Sequence, residues 1–135
     1  PNATFATAHV RLEGLPVFPD YNYSGRVFIY PASMALAPND EAFRKKYEVD
    51  RFAVWGLGDH GGHHEPKVTA DIDATTELAY LAKKHTGAAW KIAVVCDKPN
   101  AQYESERKNA ASDVLKEITV DQVSVVYDRD YQETP

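Results

Sequence analysis

Three of the chain's five histidines fall in one short segment, Asp59-His60-Gly61-Gly62-His63-His64-Glu65, with a carboxylate at each end. Neutral imidazole is a good ligand for copper, zinc and nickel, and the glycine pair lets the backbone turn so that neighbouring side chains can meet at one ion. His60, His63 and His64 are therefore the candidate metal ligands, with copper the ion of interest. The same residues also read as a polar loop whose imidazoles are solvated or bonded to backbone, because the segment lacks the fixed pairing of a His-Glu-x-x-His helix. His9 and His85 stand alone, one on a strand surface and one in the last turn of a helix, where the dipole by itself favours an imidazole. The single cysteine, Cys96, excludes an internal disulfide framework. Its neighbours Val95 and Asp97 do not supply the electropositive, partly exposed setting of a reactive thiol, so it reads as a small buried hydrophobe.

The usual catalytic signatures are missing. No Gly-x-Ser-x-Gly, phosphate-binding loop or dinucleotide fingerprint occurs, and no acid/base pair stands out among the carboxylates, so the chain is expected not to be a catalyst on its own. With 135 residues, 44% hydrophobic and 26% charged, it has the size of one domain, taken as 1–127 with a flexible tail over 128–135. A net charge of −5, with both signs mixed along the chain, argues against a nucleic-acid partner. No stretch is long and apolar enough to span a bilayer, and no basic start leads into an apolar run, so no membrane partner is expected. The start at Pro1 points to an upstream segment that was removed or to a fragment of a longer polypeptide. Two sequons, Asn2-Ala3-Thr4 and Asn22-Tyr23-Ser24, would accept glycans in an extracellular or lumenal setting.

The elements that must hold these residues are mostly short strands. His9 to Glu13 alternates with Val10 and Leu12 on one face until Pro16, Pro19 and Asp20 break it. Arg26 to Tyr30 is an apolar run stopped by Pro31, as in a strand buried on both faces or at the centre of a sheet. Asp40 is a cap for one or two helical turns over Asn39 to Tyr47, with Phe43 and Tyr47 four apart. Phe52 to Trp55 and Val68 to Ile72 read as strands on either side of the glycine and histidine loop. The clearest helix is Thr75 to His85, where Leu78, Leu81, Ala82 and His85 share a face, Asp73 caps the start and Gly87 stops the end. Trp90, Ile92, Val94 and Cys96 then alternate as a strand with one face inside, and Ile118 to Tyr127 is the final strand with Val123, Val125 and Tyr127 on one face. Asn100 to Lys116 reads as an insertion in a hairpin, helical or mobile. The expected fold is thus mainly β: an antiparallel sandwich, cupredoxin-like or jelly-roll-like, with one clear helix near 75–85 and short helical insertions.

At this point a family comes into view. Phe52-Ala53-Val54-Trp55-Gly56-Leu57-Gly58, then Gly61-Gly62-His63-His64-Glu65-Pro66, then Val68-Thr69-Ala70-Asp71-Ile72-Asp73 leading into Leu78-Ala79-Tyr80-Leu81, resembles the C-terminal shielding domain of type 3 copper proteins: tyrosinases, polyphenol oxidases and molluscan haemocyanins. Trp90-Lys91-Ile92-Ala93-Val94 stands where that domain has its Trp-containing strand. His9-Val10-Arg11-Leu12 with Gly25-Arg26-Val27-Phe28-Ile29 looks like its first hairpin, and Ile118-Thr119-Val120 to Val125-Val126-Tyr127 like its last strand. The resemblance implies a sandwich that docks on a helical dicopper domain, in cis or as a separate chain, and keeps a latent oxidase closed by placing an apolar side chain over the copper pair. By position Met34 or Leu36, in Ala32-Ser33-Met34-Ala35-Leu36, would be that plug. The same loop could pack back on its own core. The chain departs from fungal members, which often carry a cysteine pair here suited to handing copper over, in having only Cys96, so the histidine loop is the one candidate replacement for that role. The alternative function is an independent extracellular copper carrier that uses His60, His63 and His64.

Overall fold

The computed structural model describes residues 7–18, 21–56, 67–84, 89–97, 100–101 and 118–128. Its first strand, β1 (Thr7–Pro16), buries Ala8, Val10 and Leu12 and then Leu15, with Val17 buried just beyond it, so the alternation changes phase once. The cause is Gly14, whose φ of 80° only glycine adopts at no cost and which shifts the register between Leu12 and Leu15. A Cβ at this position would also overlap the Asp121 carboxylate. The strand expected over His9 to Glu13 therefore runs longer at both ends, continued by a bulge that returns apolar residues to the core.

β2 (Tyr21–Pro31) extends the expected Arg26 to Tyr30 run toward the N-terminus, and it is covered on both faces. Tyr23, Val27 and Ile29 enter the main core, whereas Phe28 and Tyr30 lie on the other face against Phe43. Phe43 belongs to α1 (Glu41–Tyr47), which Asp40 caps by accepting the Phe43 N–H at 2.9 Å. β3 (Glu48–Val54) follows α1 directly and pairs antiparallel with β2. Beyond it, β4 (Lys67–Asp73) leads into α2 (Thr75–Lys84), and β5 (Trp90–Cys96) pairs with the opposite side of β2. β6 (Asn100–Ala101) joins the start of β2, and β7 (Gln122–Asp128) pairs with β1.

Two antiparallel sheets result, β4-β1-β7 and β3-β2-β5, with β6 added to the second. Their facing residues form one core from Val10, Leu12, Leu15, Val27, Ile29, Phe52 and Ile72, closed at one end by Leu78 of α2. The fold is an antiparallel β-sandwich. α2 is fastened to β1 by Thr75: its hydroxyl accepts the Ala8 N–H at 3.0 Å and lies 2.7 Å from the Asp73 carboxylate, which also accepts the Thr75 N–H. Asp73, expected as the cap, accepts the N–H of the first helical residue, while Ala74 holds the cap position and its carbonyl accepts the Leu78 N–H; α2 buries Leu78, with Leu81 packed against the core.

Three expectations change. β5 was read with one face inside, but Ala93 and Val95 on its other face pack under the α1 aromatics. The final strand begins at Gln122 rather than near Ile118, although Ile118 and Val120 still pack on the core. On that strand Val125 touches the core, while Val123 and Tyr127 remain exposed because β7 is the outer strand of its described sheet. Asp128 closes β7. Residues 129–135, the greater part of the 100–116 insertion, His85 and Gly87 lie outside the described residues.

The sandwich has two distinct ends. At one, Tyr23 of β2 donates its hydroxyl hydrogen to the Pro16 carbonyl of β1. At the other, α2 follows β4 and lines a cleft together with Ile29 and Pro31 of β2.

Candidate functional site

The loop after β2 emerges at the α2 end. Pro31 stops the ladder because proline cannot donate to it, and the chain is then held by a short series of bonds. The Ala32 N–H donates to the Ala89 carbonyl at 2.9 Å, the Met34 N–H to the Pro31 carbonyl at 3.0 Å, and the Asp40 N–H to the Ala37 carbonyl at 3.1 Å. Ala37 turns inward against the Phe28 and Phe43 cluster. Met34 and Leu36 turn outward and are 41% and 37% exposed. Beside the loop, a cleft of about 550 Å³ lies between α1 and α2, lined by Ile29, Pro31, Lys46, Tyr47, Tyr80 and Leu81. This end presents the apolar side chains of Met34 and Leu36 on a framework tied at several points, beside a cleft whose lining also includes Thr76 and Glu77.

Beneath the loop lies Arg26, on the same outward face of β2 as Phe28. Its residue exposure is only 9%. Nη1 donates to the Pro38 carbonyl at 2.8 Å, Nη2 stands 3.6 Å from Asp97, and the guanidinium lies 5.6 Å from the Phe28 ring centre. Nε is buried with no partner among the described residues. Asp97 in turn accepts the Ser24 hydroxyl at 3.1 Å and donates its N–H to the Ser24 carbonyl. Sequence reasoning placed Arg26 in a strand and assigned it no role. A charged residue inside the apolar run Val27-Phe28-Ile29-Tyr30 and its flank was the available signal.

Among the described residues the titratable groups do not assemble a catalytic set. Burial pushes the Cys96 thiol up, with Asp97 adding to the effect, which keeps it protonated and a poor nucleophile. Burial likewise raises the Tyr23 phenol, and the nearby Cys96 contributes. On the outer face of β1 and β4, Arg11 donates to Asp71 at 2.9 Å while His9 Nε2 lies 3.4 Å from the same carboxylate. The bond from Arg11 holds Asp71 below the usual carboxylate range, so Asp71 is a weak base, and the group is a cross-strand ion pair on an open surface.

Among the described residues no group of three or more His, Cys, Asp or Glu side chains could hold a metal ion. The candidate ligands His60, His63 and His64 lie outside the described residues. Gly56 and Lys67, which flank them, both lie toward the Tyr23 end. Gly56 donates its N–H to Asn22 at the start of β2, and Lys67 pairs with Pro16 of β1 and reaches Asp121 at 3.1 Å. Gly56 and Lys67 are thus at the end of the sandwich opposite the Met34 loop.

Trp55, 69% exposed at the end of β3, was not singled out from the sequence. Its signal was the alternation itself, since Phe52 and Val54 face the core and the next odd position must face away. It borders a shallow pocket of about 230 Å³ with Asn22 and Ser24, the ends of the second sequon.

No family model, curated protein or solved structure matches the chain. The likeness to the type 3 copper shielding domain therefore rests on the residues quoted above.

Proposed function

We propose that the chain is a non-catalytic β-sandwich that docks on a helical dicopper domain, in cis or as a separate chain, and keeps it latent by laying Met34 or Leu36 over the copper pair. The observation that carries this reading is the loop after β2. It displays both apolar side chains outward at one end of the sandwich while its backbone is bonded to Pro31, Ala89 and Arg26. A held apolar projection meets a partner with little ordering entropy left to lose. The order of elements adds support: the segment resembling the family's strand-to-helix step is β4 leading into α2, and its Trp-containing strand corresponds to β5. Cleavage or displacement of the sandwich, in an extracellular or lumenal setting, would open the partner's site to phenols. The copper-carrier alternative gains no support from the described residues, because its ligands lie outside them.

The test adds the chain to the helical domain of a type 3 copper phenol oxidase stripped of its own shielding domain and follows catechol oxidation. The chain should suppress oxidation, and the double variant Met34→Asp with Leu36→Asp should relieve the suppression while melting like the parent, since both sites are exposed. Unchanged oxidation in the presence of the parent chain would overturn the reading.

A further inference from the structure

We infer that Arg26 is a buried clamp that presets the Ala32–Asn39 loop, a positioning role that gives the proposed docking loop its fixed shape. This rests on the docking reading only for its consequence; the clamp itself is an intramolecular claim.

The arrangement is unusual for a residue retained for stability. The guanidinium is withdrawn from water, yet it has one short bond to Pro38, a longer ion pair to Asp97 and an orphaned Nε. Such an incompletely paired buried cation is a net burden on folding unless its geometry is needed. What the geometry achieves is a tie across three elements. Arg26 sits in β2, Pro38 in the loop that precedes the Asp40 cap, and Asp97 just past β5, where Ser24 of β2 also bonds it. The planar fork reaches both acceptors at once, which a lysine cannot do. The guanidinium only donates, so the Pro38 carbonyl is the point at which Arg26 grips that part of the loop.

The two partners should respond unequally to removal. Asp97 is 46% exposed, so losing Arg26 leaves a solvated carboxylate still bonded to Ser24. Losing Asp97 leaves the cation buried with only the Pro38 carbonyl and the Phe28 ring beside it among the described residues. Arg26→Met, which keeps the apolar stem, should therefore melt close to the parent, whereas Asp97→Ala should melt clearly lower.

The deciding measurement is hydrogen exchange on the parent, Arg26→Met and Arg26→Lys. In both variants the Met34 and Asp40 amides should exchange roughly tenfold to hundredfold faster, the factor that corresponds to one lost bond to a charged group, while Val27 and Ile29 in β2 keep their protection. Arg26→Lys retains the charge and serves if Arg26→Met does not fold. Unchanged loop amides, or β2 amides that accelerate equally, would overturn the clamp. Because this readout needs no partner, it can fail while the catechol experiment succeeds, or the reverse, and the two claims are separable.

Discussion

The Cys96 thiol lies on the core face of β5, opposite Gly25, where a Cβ would run into the Phe52 ring and so leaves glycine as the side chain of choice. Packing there removes water from the sulfur, and burial, then Asp97, raises its titration above the ordinary 9.0. A thiol whose ionised form is disfavoured in this way is slow to alkylate. In the native protein at a pH of about 8, Cys96 should react with iodoacetamide several-fold more slowly than free cysteine and at the ordinary rate once urea unfolds the chain. A mass-spectrometric time course decides it, and equal rates in both states would contradict the burial argument. At this scale the sequence was informative about Cys96, because its alternation with Ile92 and Val94 marks a core face. It was silent about Arg26, whose role depends on a carbonyl twelve residues away and a carboxylate brought in by β5.

At the scale of elements, the two features that set chain direction are a bulge and a cap. Gly14 lets β1 change phase so that Leu12 and Leu15 both reach the core, and its conformation and its closeness to Asp121 both exclude a side chain. Gly14→Ala should lose about 1–2 kcal/mol from backbone strain alone, with the contact to Asp121 adding to it. Asp40→Ala, which removes the oxygen that accepts the Phe43 N–H, should lose about 1 kcal/mol. Urea denaturation of both variants tests the ranking, and a smaller loss for Gly14→Ala would mean the bulge relaxes. The cap was legible in advance from Asp40 before Phe43 and Tyr47. The bulge was not, because a lone glycine in an alternating strand marks neither the direction nor the size of the register shift.

For the molecule as a whole, two carboxylates near the solvent brace β4, one to β1 and one to the start of α2. Arg11 bonds Asp71, and Thr75 bonds Asp73, and in each case the bond holds the carboxylate below its ordinary 3.8. A carboxylate with a lowered titration in the folded state contributes its stability above 3.8, and that contribution fades as pH falls through 3.8 toward the folded value. The melting temperature should therefore drop on acidification in this window, and Asp71→Asn should flatten the drop. A parallel fall for parent and variant would remove Asp71 from the account. The sandwich class and most of its elements were determined by the sequence itself, because period-two alternation, Pro31, Asp40 and the Leu78 to Leu81 stripe are local signals that act through neighbouring residues. What only the tertiary structure decided is which surfaces remain open. Ala93 and Val95 are covered because α1 folds back over β2 and β5, Val123 and Tyr127 are exposed because no strand pairs beyond β7 among the described residues, and Met34 and Leu36 project because Arg26 and Ala89 hold their loop from below. Each of these outcomes depends on contacts between residues far apart in the chain, and local spacing carries no information about which distant element will supply the cover.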